Sequence, residues 1–322
     1  MLEIRHLVKK FGPLVAVDDV SFGVAAGEVL GFLGPNGAGK STTMKMIAGF
    51  LAPTSGTAVI CGHDIHLEPL AAKRQIGYLP EGAPAYPDMS AAEFLDFIAH
   101  IRGLRGAEMR RRIAYIAELI HIADVMEQPV DTLSKGYRRR VGVAQALLHD
   151  PSVLILDEPT DGLDPNQKYE MRGIIRDLSP QKAIVISTHL LEEVEAVCSR
   201  AIIIARGHVL ADGTPADLAS RSRLHNAVRL DLVPGDSSAI AAELRTLPGV
   251  AAVETSGNNG ATLWILSQDG QPISDAIVRV ARAQGWPVTG LYVERGRLDD
   301  VFRTITAPER APQPAQAAAS RS

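Results

Sequence analysis

Gly34-Pro35-Asn36-Gly37-Ala38-Gly39-Lys40-Ser41 follows a short apolar run, Val29 to Leu33, and precedes a segment of helical spacing, Ser41 to Leu51. Its pattern, G-x-x-x-x-G-K-[ST], describes a turn whose backbone N–H groups cradle phosphate oxygens together with the N-terminus of the next helix. Strand, glycine-rich loop and helix are the context this chemistry needs. Lys40 is placed to neutralise β- and γ-phosphates and the Ser41 hydroxyl to enter the shell of Mg²⁺, while Thr42 reads as a phosphate contact. Gly49 and Pro53 close the helix.

Downstream, Val153 to Leu156 is wholly apolar and reads as a buried parallel strand, as do Ala183 to Ser187 and Ala201 to Ala205. Asp157-Glu158 stands at the C-terminal end of the first of these, where open α/β sheets bind their ligands. Asp157 is the candidate Mg²⁺ partner and Glu158 the group that orients or deprotonates an attacking water. Between the two phosphate-site elements, about 82–150 carries helical stripes, Phe94, Phe97, Ile98 and Ile101, then Ile113, Ile116 and Ile120, as a helical insertion would. Beyond Arg221 the order strand, helix, strand, strand, helix, strand can be read, with a turn at Asn258-Asn259-Gly260 between Val250 to Thr255 and Thr262 to Ser267. The expected fold class is therefore α/β with a helical subdomain, plus a small α+β, ferredoxin-like βαββαβ module. The expected boundaries are 1–222, 223–306 and a disordered Pro/Ala/Gln-rich tail at 307–322.

The 322 residues are 46% hydrophobic and 22% charged, with a net charge of −4, so no bulk field draws the chain to nucleic acid. The arginine runs at Arg102 to Arg112 and Arg138 to Arg140 read as solvated helix faces, and no nucleic-acid partner is expected. Cys61 and Cys198 form no CxxC, which fits a reducing cytosol. No run approaches 18 apolar residues and the N-terminus lacks a signal pattern, so the chain is expected neither to span a membrane nor to be exported. Cys61, His63, Asp64, His66 and Glu68 match no closed ligand spacing and read as a loop rather than a metal site.

Leu133-Ser134-Lys135-Gly136-Tyr137 lies ahead of Asp157-Glu158 and resembles the signature motif of ATP-binding cassette (ABC) ATPases. Asp161-Gly162-Leu163-Asp164 resembles that family's D-loop, Thr188-His189 its switch histidine and Phe11 the aromatic that stacks on adenine; the resemblance covers about Leu2 to Gly213. It implies that Phe11, Ala16 and Gly34 through Thr42 bind ATP. It implies that Ser41, Asp157 and Glu81 meet Mg²⁺, with Glu158 and His189 catalytic. It further implies a sandwich in which Ser134, Lys135, Gly136 and Tyr137 of one protomer close on the nucleotide of a second, in a homodimer. The partner is then a separate transmembrane permease, and the location the cytoplasmic face of the cell membrane.

Two positions depart from the family pattern. The signature more often reads Leu-Ser-Gly-Gly-Gln, and Glu81, in Gly77-Tyr78-Leu79-Pro80-Glu81, stands where a Gln is usual. Both departures, with Leu298-Asp299-Asp300-Val301-Phe302, resemble the gliding-motility, sodium-efflux and drug-export branch. The rival readings are an ABC-type ATPase acting on DNA or ribosomes, which would call for a second cassette, a coiled coil or a basic stripe, and a cassette that binds without hydrolysing.

Overall fold

Five consecutive buried residues, Val29–Leu33, form a central strand flanked on both sides by parallel neighbours, Ala183–Thr188 and Arg200–Ala205. An all-apolar run with no polar alternation belongs in such a position, because both faces are covered. The computed structural model describes residues 1–83, 85–233, 237–256 and 261–307; the turn expected at Asn258 to Gly260 and the tail at 308–322 lie outside these. Two compact units divide at Arg221 and Ser222.

In the first unit a six-stranded sheet runs His208–Gly213, Arg200–Ala205, Val29–Leu33, Ala183–Thr188, Val153–Asp157, Ile76–Leu79. All pairs are parallel except the first, an antiparallel edge. The register sets Leu33 opposite Thr188 and Asp157 opposite Ser187, so three strands end level at one edge. A second, antiparallel sheet, Leu14–Val24, Leu2–Phe11, Ser55–Ile60, His63–Asp64, shares one apolar core with the first. Met44, Met46 and Ile47 of the helix Lys40–Ile47 are buried in that core, which anchors the helix that follows the glycine-rich loop. This helix is shorter than the expected span: Gly49, at φ 70°, turns the chain before Leu51.

The insertion holds helices Ala91–Ile101, Gly106–Leu119 and Lys135–Leu147. Ser90 starts the first with a capping box closed by Glu93. Its buried face is Ala91, Phe94, Leu95 and Ala99, so the expected stripe splits: Phe94 points inward while Phe97 and Ile101 are exposed. Arg139 and Arg140, read from sequence as a solvated face, are buried. Arg140 donates to Glu170 and to the His121 carbonyl, and its guanidinium sits over Tyr137.

The second unit contains His225–Leu232, helix Ser238–Leu244, Val250–Ser256, Thr262–Ser267, helix Ser274–Ala283, Val288–Arg295 and a closing helix Leu298–Thr306. Its strands form one antiparallel sheet in which the first lies between the third and the fourth. Val228, Leu230, Leu263, Ile265 and Ile277 are among its core residues.

Candidate functional site

At two glycines of the 34–41 loop, Gly34 and Gly39, neighbours leave no room for a side chain. A Cβ on Gly34 would sit 2.4 Å from the Ile204 carbonyl oxygen, and one on Gly39 would sit 2.6 Å from that of Ala16. Gly39 also holds φ 103°, a region that L side chains avoid, and caps helix Lys40–Ile47 with no side-chain acceptor. The first N–H groups of that helix are thus left for an anion. Gly207 N–H donates to the Ala38 carbonyl at 3.0 Å and the Gly207 carbonyl accepts from Asp18 N–H at 2.9 Å, which ties the loop to two neighbouring segments. Ala16 therefore meets the loop through its backbone. Phe11 ends its strand, exposed, with the Lys9 ammonium 5.1 Å from its ring centre.

Lys40 is buried and folds back over the loop, donating to the carbonyls of Gly34 at 2.7 Å and Pro35 at 3.3 Å. Its ammonium is 3.7 Å from Glu158, whose other oxygen is 2.7 Å from His189 Nδ1. A carboxylate can only accept, so Nδ1 carries the proton of this contact. Glu158 stands at φ 53°, and its N–H donates to the Ser187 carbonyl at 3.1 Å and hydroxyl at 3.2 Å. This left-handed turn puts Glu158 toward Lys40 and His189, whereas Asp157 faces the interior at 0% exposure. Asp157 Oδ1 accepts from the Ser41 hydroxyl at 3.2 Å and from Ser187, while Oδ2 is buried without a partner.

Beyond His189, Thr188 donates to the buried Glu193 at 2.8 Å and accepts from Leu190 N–H at 3.0 Å, which braces the strand end. Burial pushes the Glu193 carboxyl above its usual range.

The Ser134 to Tyr137 segment builds a helix start. Ser134 accepts from Tyr137 N–H at 3.3 Å and is itself exposed. Gly136 is buried against helix Pro165–Leu178, where a Cβ would come within 2.5 Å of the end of the Gln167 side chain. Lys135 donates to Asp161 at 3.1 Å, and this hydrogen bond holds the Asp161 carboxyl below its usual range. Tyr137 donates to Asp124 at 3.0 Å. Leu163 is buried, Gly162 is exposed, and Asp164 caps helix Pro165–Leu178 in a box with Gln167. Among the described residues no hydrogen bond or ion pair joins Ser134, Lys135, Gly136 or Tyr137 to residues 34–42. Glu81 is exposed and lines a cleft of about 440 Å³ with Lys135, Arg139 and Asp161, a lining that does not include Ser41 or Asp157.

Two contributors escape a reading of the sequence. Ser187 sits in what scans as a buried strand, and only its polar hydroxyl within an apolar run signals that it supports Asp157. Arg139 hides inside a run of three arginines.

Comparison with known proteins follows the same lines. A family profile described as ABC transporter matches residues 17–161. The Nod factor export ATP-binding protein I of Ralstonia nicotianae is 34% identical over 312 residues, covering 96% of this chain and 94% of that protein. The linearmycin resistance ATP-binding protein LnrL of Bacillus subtilis is 33% identical, covering 95% of this chain and 98% of its own. Among solved structures, one described as an ATP binding subunit of an ABC transporter is 32% identical with a TM-score of 0.63, covering 68% of this chain and 91% of that one. With a phosphate loop, an acidic pair and a histidine gathered on one sheet edge, and with relatives alike over nearly their whole length, this chain belongs to the ATP-binding subunits of ABC transporters and is an ATPase of that family.

Proposed function

We propose that the chain drives an exporter: two copies close around ATP, hydrolysis reopens them, and the motion passes to a separate membrane permease. The observation that carries this reading is the contact series Lys40, Glu158, His189, with Glu158 at 3.7 Å from one and 2.7 Å from the other. In it Lys40 and the loop N–H groups hold the phosphates, Glu158 orients or deprotonates water, and His189 steadies Glu158 and the γ-phosphate. Phe11 offers a ring face for adenine. Ser134, exposed at a helix start and not bonded to its own loop, with Gly136 just behind it, is suited to the phosphate of a second copy.

The residues fit Mg²⁺. A fully buried carboxylate with one oxygen lacking a donor, beside a serine hydroxyl, is an oxygen donor set for a hard cation. Ser41 and Asp157 would hold it, with Glu81 as the further candidate; when bound it neutralises charge on the phosphate oxygens.

One exposed apolar patch supports a membrane partner. Phe97 and Ile101 are exposed on the insertion, with Tyr86 stacked edge-on against Phe97 at 5.5 Å. Among the described residues no helix is long and apolar enough to cross a membrane. An inner-face peripheral location follows from this partner. Export as the direction rests on the export and resistance proteins it resembles. We read 1–222 as the ATPase domain and 223–306 as a ferredoxin-like accessory domain.

The test is Glu158→Gln, assayed for ATP binding and turnover. The account expects turnover to fall at least about a hundredfold with ATP affinity retained. Turnover that survives the substitution would refute it.

A further inference from the structure

One side of helix Lys135–Leu147 climbs the strand Ile76–Leu79 and the chain just after it, a turn at a time. His149, just past the helix, faces the Ile76 carbonyl at 2.9 Å, and Gln145 donates to the Tyr78 carbonyl at 2.8 Å. Gly142 packs so closely that a Cβ would come within 2.7 Å of Leu79 and 2.9 Å of Ala83. The next position on this side is Arg139, and Glu81 follows two residues after Leu79. Both line the same 440 Å³ cleft.

Arg139 is 3% exposed, and its Nη1 has no hydrogen-bond partner. A buried guanidinium without a partner is costly unless a carboxylate answers it. Burial weakens its hold on the proton, opposed by the carboxylates of Asp161, Asp157, Glu158 and Glu81. Three of those four are already engaged. Asp161 takes Lys135, Asp157 takes Ser41 and Ser187, and Glu158 takes Lys40 and His189. Glu81 alone of the four makes no hydrogen bond or ion pair among the described residues, and its side chain is exposed.

We propose that Arg139 is the positioning partner of Glu81: the two form the last rung of this ladder, and the rung sets where the Glu81 carboxylate stands during ATP hydrolysis. The helical insertion is thereby linked to the site through one charged pair. The proposal rests on the ATPase reading above.

The experiment uses the full chain, with steady-state ATPase rates at varied ATP and varied Mg²⁺ for Glu81→Gln, Arg139→Gln, the double variant and Arg139→Lys. Arg139→Gln should lower kcat about tenfold with KM for ATP within about twofold, the double variant should be no slower than Glu81→Gln alone, and Arg139→Lys should regain part of the rate. Losses that multiply in the double variant, or a wild-type kcat in Arg139→Gln, would overturn the proposal. If Arg139→Gln fails to fold, Arg139→Lys made in the parent and in Glu81→Gln decides. A kcat loss in the parent that vanishes in Glu81→Gln supports the pair, and an equal loss in both refutes it. Failure of the underlying reading shows separately, as turnover that persists in Glu158→Gln.

Discussion

Asp157 and Glu158 are adjacent in the chain and opposite in environment. Asp157 is sealed inside, hydrogen-bonded by two serines and with one oxygen idle, whereas Glu158 turns out at positive φ between Lys40 and His189. The pair was legible as a pair, because an acidic dipeptide after an apolar strand needs only local sequence to be seen. Its division of labour was not legible, since that depends on the strand register that sets Asp157 beside Ser187. A prediction at this scale concerns Ser187→Ala, which removes a donor to a buried carboxylate. It should weaken Mg²⁺-dependent ATP binding and cost about 1–3 kcal/mol of stability, measured by denaturant unfolding with and without Mg²⁺-ATP. An unchanged unfolding midpoint would remove Ser187 from the site's support.

Among the elements, helix Lys135–Leu147 carries the most, with a capped start at Ser134 and a face pressed on Ile76–Leu79. The helical insertion that contains it could be read from apolar spacing, but its contacts could not. A run Arg138-Arg139-Arg140 looks solvated until the fold buries two of its members, and Phe97 and Ile101 look like core until Phe94 and Leu95 take the inner face. Periodicity gives a stripe; it does not say which of two stripes meets the protein. Gly142→Ala should destabilise by about 1–3 kcal/mol, because its methyl meets Leu79 and Ala83 well inside contact distance. Thermal unfolding of the variant against the parent measures this.

His149, at the end of the same helix, supplies a pH test. Burial, with Arg102 nearby, lowers its pKa from 6.5 to about 4. The folded value lies below the unfolded one, so unfolded chains bind the extra proton, and stability present above pH 6.5 is lost as pH falls toward 4. The loss should reach about 3 kcal/mol, and His149→Gln should flatten that part of the stability profile in chemical denaturation at stepped pH. An equal slope in parent and variant would assign the acid sensitivity elsewhere.

At the scale of the whole molecule, the cassette was legible because its motifs are short, ordered and local: Gly34 to Ser41, Ser134 to Tyr137, Asp157-Glu158, Thr188-His189. On the proposed reading, the other half of the site comes from a second copy. The exposed Phe97 and Ile101 belong to the same scale, and Phe97→Asp with Ile101→Asp should cost the chain its membrane partner in detergent pull-downs while leaving ATPase activity in place. Retention of the partner would move the docking surface elsewhere.

The shared site itself is tested by mixing two inactive chains, Lys40→Ala, which lacks the phosphate grip, and Ser134→Arg, which blocks the exposed helix start. If each nucleotide lies between two copies, mixed dimers contain one intact site, and an equal mixture should recover about a quarter of the parent ATPase rate. A mixture as inactive as its parts, or a Ser134→Arg chain that hydrolyses ATP normally by itself, would contradict the account.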